Sequence, residues 1–309
     1  AYGEWRETQR AALASRLLGA LQDAATLRSA LTNERAIVNL PLAASSKLDD
    51  ASRDKLSQAR AAADKAAAAY AASLRLAAPD VAENHTATLT AALNATRAQA
   101  DQWLAQDGAA RPPDASKRFF AGIGGVNDKA GEMIGSLGLE LRDLHPRAGD
   151  QAEVAARASD LRELAAQQGT QFLQTLGSGK PMPIDMDRRV TQLEGAISQA
   201  WRSIDEKAAD GGLGPELKAA ADKVRGDFIV RVGEYKQAVL AASRAGQPYP
   251  LDAAAWRRDV SPKLNTLFEV RDAGFAAASS TMARHEQATQ TRLVFALLGA
   301  SYGYFLQNE

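Results

Sequence analysis

The chain has no cysteine, which excludes a disulfide scaffold, a thiolate metal site and a cysteine nucleophile together. Its three histidines, His85, His145 and His285, stand alone with no ligand spacing between them, so the pattern points to no metal and to no other cofactor. Net charge is missing as well. Lys and Arg number 37 and Asp and Glu 37, and no basic excess marks a nucleic-acid surface. Aromatic residues are scarce at 6%, and no alternating apolar pattern of useful length reads as a strand. No Ser-His-Asp or paired-carboxylate arrangement can be argued, so the chain does not read as an enzyme. Gly177-Ser178-Gly179-Lys180-Pro181 imitates part of a phosphate loop, but it follows a helical pattern and Pro181 stands where Ser or Thr belongs, so it reads as a turn. The uncharged apolar run at residues 293–306 is short of the roughly 20 residues a membrane helix needs. It reads as the beginning of such a helix, or as an apolar last turn packed on the protein.

What remains is Ala, Leu, Gln, Arg, Glu and Lys in long runs, with Gly and Pro clustered between them. That is the composition of long helices. In heptads, residues 13–43 place Leu17, Ala24, Leu31 and Val38 in one apolar row, the seam of a helical bundle. The neighbouring row reads Leu21, Arg28, Arg35, Leu42, so two arginines fall on the face that should be packed. A guanidinium keeps its charge at working pH, and a buried charge that loses its partner costs on the order of 3–5 kcal/mol. Arg28 and Arg35 must therefore meet carboxylates on neighbouring helices or an anion that comes and goes. Asn39, one turn beyond Arg35, offers an amide or a cap near Pro41. Gln168 and Gln171 put amides beside a seam of Leu161, Leu164 and Phe172. These amides line a polar pocket or face solvent, whereas Arg162 reads as a surface residue.

Taken in order, the pattern predicts a first helix from near Glu4 to Leu40, disturbed by Pro41 and then Ser45-Ser46. A second is capped by Asp49 or Asp50 and stops before Pro79; a third starts near Asp80 and ends at Asp107-Gly108. Asp114 is expected to cap a glycine-spotted fourth helix, and residues 145–150 read as a joint. Beyond it come helices over about 151–176, 185–207 and 215–246, then a long last one capped by Asp252. Eight helical segments with one central break predict an all-α fold of two four-helix bundles. The expected divisions are residues 1–144, 145–292 and a tail at 293–309. A degenerate tandem repeat supports the arrangement. Leu31, Glu34 and Arg35 align with Leu164, Gln167 and Gln168, and the Pro-Pro-Asp before Phe119 matches the Pro-Leu-Asp before Trp256.

Glu34-Arg35-Ala36 resembles the Glu-Arg-Gly signature of NIT (nitrate- and nitrite-sensing) domains. Arg162-Glu163-Leu164-Ala165, the turn at residues 177–183 and Tyr249-Pro250-Leu251-Asp252 before Trp256 resemble extracytoplasmic segments of bacterial chemoreceptors and sensor cyclases. The resemblance implies a periplasmic double four-helix-bundle sensor that binds a small anion. The anion would be nitrate, nitrite, a small carboxylate or an amino acid. It also implies a homodimer whose first and last helices continue into the membrane toward a signalling module. In that family arginines on bundle-facing helices hold the anion, and Arg35 matches the motif arginine. The competing expectation is a helical scaffold or protein-binding module whose arginines are simply ion-paired. A buried, arginine-lined polar cavity, present or absent, separates the two.

Overall fold

The computed structural model describes residues 2–43, 48–209 and 211–307, with side chains for all of these except 40, 43 and 299–307. Among them every regular element is helical. In order they are α1 (Tyr2–Ala43), α2 (Asp50–Ala77), α3 (Pro79–Ala105), α4 (Ala115–Leu144), α5 (Pro146–Ser178), α6 (Ile184–Ala208), α7 (Pro215–Val224), α8 (Gly233–Ala245), α9 (Ala253–Asp259) and α10 (Thr266–Gln307). Short 3-10 turns at Gly108–Ala110 and Ser261–Asn265 join neighbours, and a π-helical stretch at Arg225–Val232 links α7 to α8. The expected all-α helical bundle is the fold.

The ends follow local chemistry. Asp49 accepts a hydrogen bond from the Ser52 amide at 2.7 Å, and Asp252 one from the Ala255 amide at 2.7 Å, each occupying a donor the helix start leaves open. Pro79 and Pro215 open α3 and α7, where a missing N–H costs nothing. Several expected boundaries differ. Helix α1 runs through Pro41 to Ala43, although a proline there forfeits one bond of the ladder, so packing holds the helix against local preference. The Arg111 guanidinium donates to the Pro41 carbonyl at 3.0 Å and to the Trp103 carbonyl at 2.7 Å, tying the ends of α1 and α3 together. The Ser45-Ser46 break lies outside the described residues. Asp114 makes no capping hydrogen bond; its carboxylate faces Arg118 at 4.0 Å. The joint at 145–150 contracts to His145, since Pro146 already opens α5. The single helix expected over 215–246 carries the π-helical stretch, and Pro262 introduces the 3-10 turn before α10.

The chain forms two compact units, Ala1–Pro146 with Met282–Glu309, and Arg147–Thr281. In the first, α1 to α4 bury Leu17, Leu27, Leu31, Tyr70, Leu74, Leu89, Phe119 and Ile123. In the second, Phe172 stacks on Trp256 with centroids 4.9 Å apart, amid Val190, Ile197, Leu217, Phe228 and Leu267.

The burial patterns repeat between units. Leu27, Leu31, Glu34 and Val38 of α1 match Leu161, Ala165, Gln168 and Phe172 of α5, all buried. Leu56, Ala63, Tyr70 and Leu74 of α2 match Val190, Ile197, Ile204 and Ala208 of α6. Phe119, Ile123, Asn127 and Ala130 of α4 match Trp256, Val260, Leu264 and Leu267. This register is one residue away from the alignment the sequence suggests. Glu34 corresponds to Gln168, Arg28 to Arg162, and Arg35 to Gly169.

Candidate functional site

On α1, Arg28, Thr32, Arg35 and Asn39 recur at helical spacing and share one face. Antiparallel α4 meets that face with Gly131, Asn127, Phe120 and Ser116. The Arg28 guanidinium lies on Gly131, its atoms 3.5 to 3.7 Å from where a Cβ would stand. The Asn127 amide nitrogen donates to the Thr32 hydroxyl oxygen at 3.3 Å. The Arg35 guanidinium sits 4.3 Å from the centre of the Phe120 ring. Ser116 donates to the Asn39 side-chain oxygen at 2.6 Å, so Asn39 joins two helices instead of capping one. Arg35 is 5% exposed and Asn127 3%. The stripe is therefore polar and cationic where α1 packs on α4.

The opposite side of the same α1 turn is fixed by Glu34, which is fully buried. Its carboxylate accepts from Arg97 Nε at 2.9 Å and Nη2 at 2.7 Å, and from Arg60 Nε at 3.2 Å. Arg60 also holds Asp101 at 2.7 Å, and Arg97 holds Asp64 at 2.6 Å. Burial alone would push the Arg97 pKa down, but its hydrogen bonds to Glu34 and Asp64 outweigh that and leave it raised. A buried carboxylate needs such partners to stay ionised. Adjacent residues of α1 thus do different work: Glu34 locks the helix to α2 and α3, and Arg35 turns toward α4. Sequence reasoning missed Arg60 and Arg97. A surface groove of about 790 Å³ lies over Arg60, Asp64 and Asp101, and these ion pairs already occupy its polar groups.

In the second unit, Gln168 is 2% exposed. It donates to the Val190 carbonyl at 3.1 Å and to Glu194 at 2.8 Å, and accepts from Lys236 Nζ at 3.1 Å. Lys236 also pairs with Glu194. In the structural register Gln168 and Glu194 take the places of Glu34 and Arg60, so both units close a buried polar knot at the same height with different residues. Gln171 is half-buried on α5. Arg28, Arg35 and Asn39 share one stripe of the first unit, while Gln168 and Gln171 belong to the second. Arg162 is partly buried, its guanidinium 5.2 Å from the Phe268 ring. Among the described residues no cluster of His, Asp and Glu could hold a metal ion.

The sequence model of the nitrate- and nitrite-sensing (NIT) family matches residues 26–278. The chain belongs to that family. The match takes in Arg28, Glu34, Arg35 and Asn127 together with both polar knots. NIT is a family of sensor domains, not of enzymes. No curated protein and no solved structure matches the chain. Among the described residues no helix is long and apolar enough to cross a membrane.

Proposed function

We propose that this NIT domain is the extracytoplasmic, periplasmic sensor of a bacterial membrane receptor, and that it binds a small planar oxyanion or carboxylate between α1 and α4. One observation carries the reading: Arg28, half-buried, and Arg35, buried, lie on a single face of α1, opposite Gly131 and Asn127. A guanidinium fork matches planar oxyanions in a bidentate manner. The cation–π contact of Arg35 with Phe120 is worth only about 0.5–2 kcal/mol, so charge-assisted hydrogen bonds to an anion can replace it. Asn39 stands at the end of the same stripe. The second unit supports the assignment by contrast. There the counterparts of Gly131 and Asn127 are Phe268 and Leu264, and an aromatic ring takes the space beside Arg162.

Anion binding draws α1 and α4 together and favours one of two packings, which is all a ligand can do to such an equilibrium. The start of α1 lies beside the end of α10, with Glu4 and Arg292 at 4.0 Å. Tyr2 and Trp5 stack nearby, and Val294, Phe295, Leu297 and Leu298 are exposed. Indole and phenol rings favour membrane interfaces, and a helix apolar all round suits a lipid or protein surrounding. These features support a receptor whose first and last helices lead to the membrane, and a homodimer formed along them.

The test is calorimetric titration of the whole chain with nitrate, nitrite and acetate, beside Arg28→Ala, Arg35→Ala and Arg162→Ala. One of the anions should bind the parent and the Arg162 variant alike, and lose affinity by about tenfold or more in the other two. Equal binding by all four proteins would sink the α1–α4 site. Binding by none would leave Arg35 as a structural cation, with the scaffold reading ahead.

A further inference from the structure

We infer that Asn127 makes this site select an anion that also carries a hydrogen-bond donor next to its charge, such as a 2-hydroxy or 2-amino carboxylate; the inference rests on the α1–α4 site proposed above. Thr32 donates its hydroxyl proton to the Arg28 carbonyl at 2.9 Å. Toward Asn127 it can therefore only accept, at 3.3 Å from the amide nitrogen. This fixes the orientation of the amide: its NH2 faces Thr32, and its oxygen faces away. That oxygen, Oδ1, is buried and accepts no hydrogen bond from any described residue. Asn127 as a whole is 3% exposed.

A buried carbonyl without a donor is costly, and a ligand that supplies one recovers that cost on binding. The place is specific. Asn127 lies one turn from Gly131, on which the Arg28 guanidinium rests, and opposite Thr32, which stands between Arg28 and Arg35 on α1. Two cations and one acceptor thus lie along the same α1–α4 contact. Nitrate, nitrite and acetate can pair with the cations and leave Oδ1 unmet. Glycolate and glycine satisfy both. At the matching position of the second unit stands Leu264, an apolar residue of similar size, so the amide is not required to pack this pair of helices.

The experiment compares acetate with glycolate, which differ by one hydroxyl, by calorimetric titration of the parent chain and of Asn127→Leu, with nitrate as a third probe. Circular dichroism checks that the variant is folded. The parent should bind glycolate about tenfold more tightly than acetate. Asn127→Leu should lose the preference. Equal affinities in the parent would overturn the inference, meaning that a bound water serves Oδ1, and would leave the anion site standing. A preference that survives in Asn127→Leu would overturn it too. Failure of all three anions to bind would remove the site itself and this inference with it.

Discussion

Glu34 and Arg35 are neighbours in sequence and face different helices, and their substitutions should fail differently. Replacing Glu34 by Leu takes the buried carboxylate from Arg97 and Arg60 and leaves them paired with Asp64 and Asp101. Losing one partner of a buried ionic group costs about 3–5 kcal/mol, to be read as a lowered urea midpoint. Replacing Arg35 should change anion binding more than stability. A second prediction at this scale concerns His85, whose Nε2 lies 3.0 Å from the Tyr70 hydroxyl. Burial pushes the Tyr70 phenol up, so it stays protonated and donates. Burial, and then repulsion from Lys129, hold the His85 imidazole below its ordinary pKa, with Glu132 opposing in part. A depressed folded-state pKa contributes stability that is present above the unfolded value and lost as pH falls through the folded one. Unfolding free energy should therefore decline from pH 7.5 to 5.5, above the carboxylate range, and His85→Gln should flatten that decline. A slope unchanged by the substitution would refute the assignment. Arg28 and Arg35 were legible in the sequence because their row falls on an apolar seam. Arg60 and Arg97 were not, because they lie 26 and 63 residues from Glu34, and heptad spacing says nothing about which helices become neighbours.

Between helices, two glycines make opposite predictions. A Cβ on Gly274 would stand 2.9 Å from both the Ala155 side chain and the Gln151 carbonyl oxygen. Backbone cannot yield cheaply, so Gly274→Ala should push α10 off α5 and cost about 1–3 kcal/mol. A Cβ on Gly131 would meet the Arg28 guanidinium first, at 3.5 Å, an ordinary contact with the end of a flexible side chain. Gly131→Ala should gain roughly 0.5–1 kcal/mol of helix stability while weakening anion binding; thermal melts and titrations of the two variants check both statements. Helix ends marked by Asp49, Pro79 and Asp252 were readable because caps act locally. The passage of α1 through Pro41 and the π-helical stretch at Arg225–Val232 were not, since tertiary packing holds helices there against local preference. The repeat register slipped by one for a related reason. In Ala-rich helices several alignments place small residues on the seam, and only burial, with Glu34 matched to Gln168, decides between them.

Over the whole molecule there are two compact units, and the proposed anion site lies in the first. Phe172→Ala removes the ring stacked on Trp256 in the second unit and should cost about 3–5 kcal/mol, read by Trp256 fluorescence, while anion affinity stays within about twofold. A larger loss of affinity would mean that the second unit takes part in binding. The all-helical class followed from composition, and the family from Glu34-Arg35 and the paired bundle pattern, a reading the family match at residues 26–278 upholds. The position of the proposed site within the bundle was only half legible. The sequence displays two arginines, but that Gly131 and Asn127 face them is a fact of antiparallel packing. The most direct test of the central claim is NMR of the arginine side-chain Nε–H groups, assigned by substitution, during titration of the whole chain with nitrate and with glycolate. The account predicts saturable shifts at Arg28 and Arg35 with at least one anion, and none at Arg60, Arg97 or Arg162. Shifts confined to the latter three, or none at saturating anion, would contradict it.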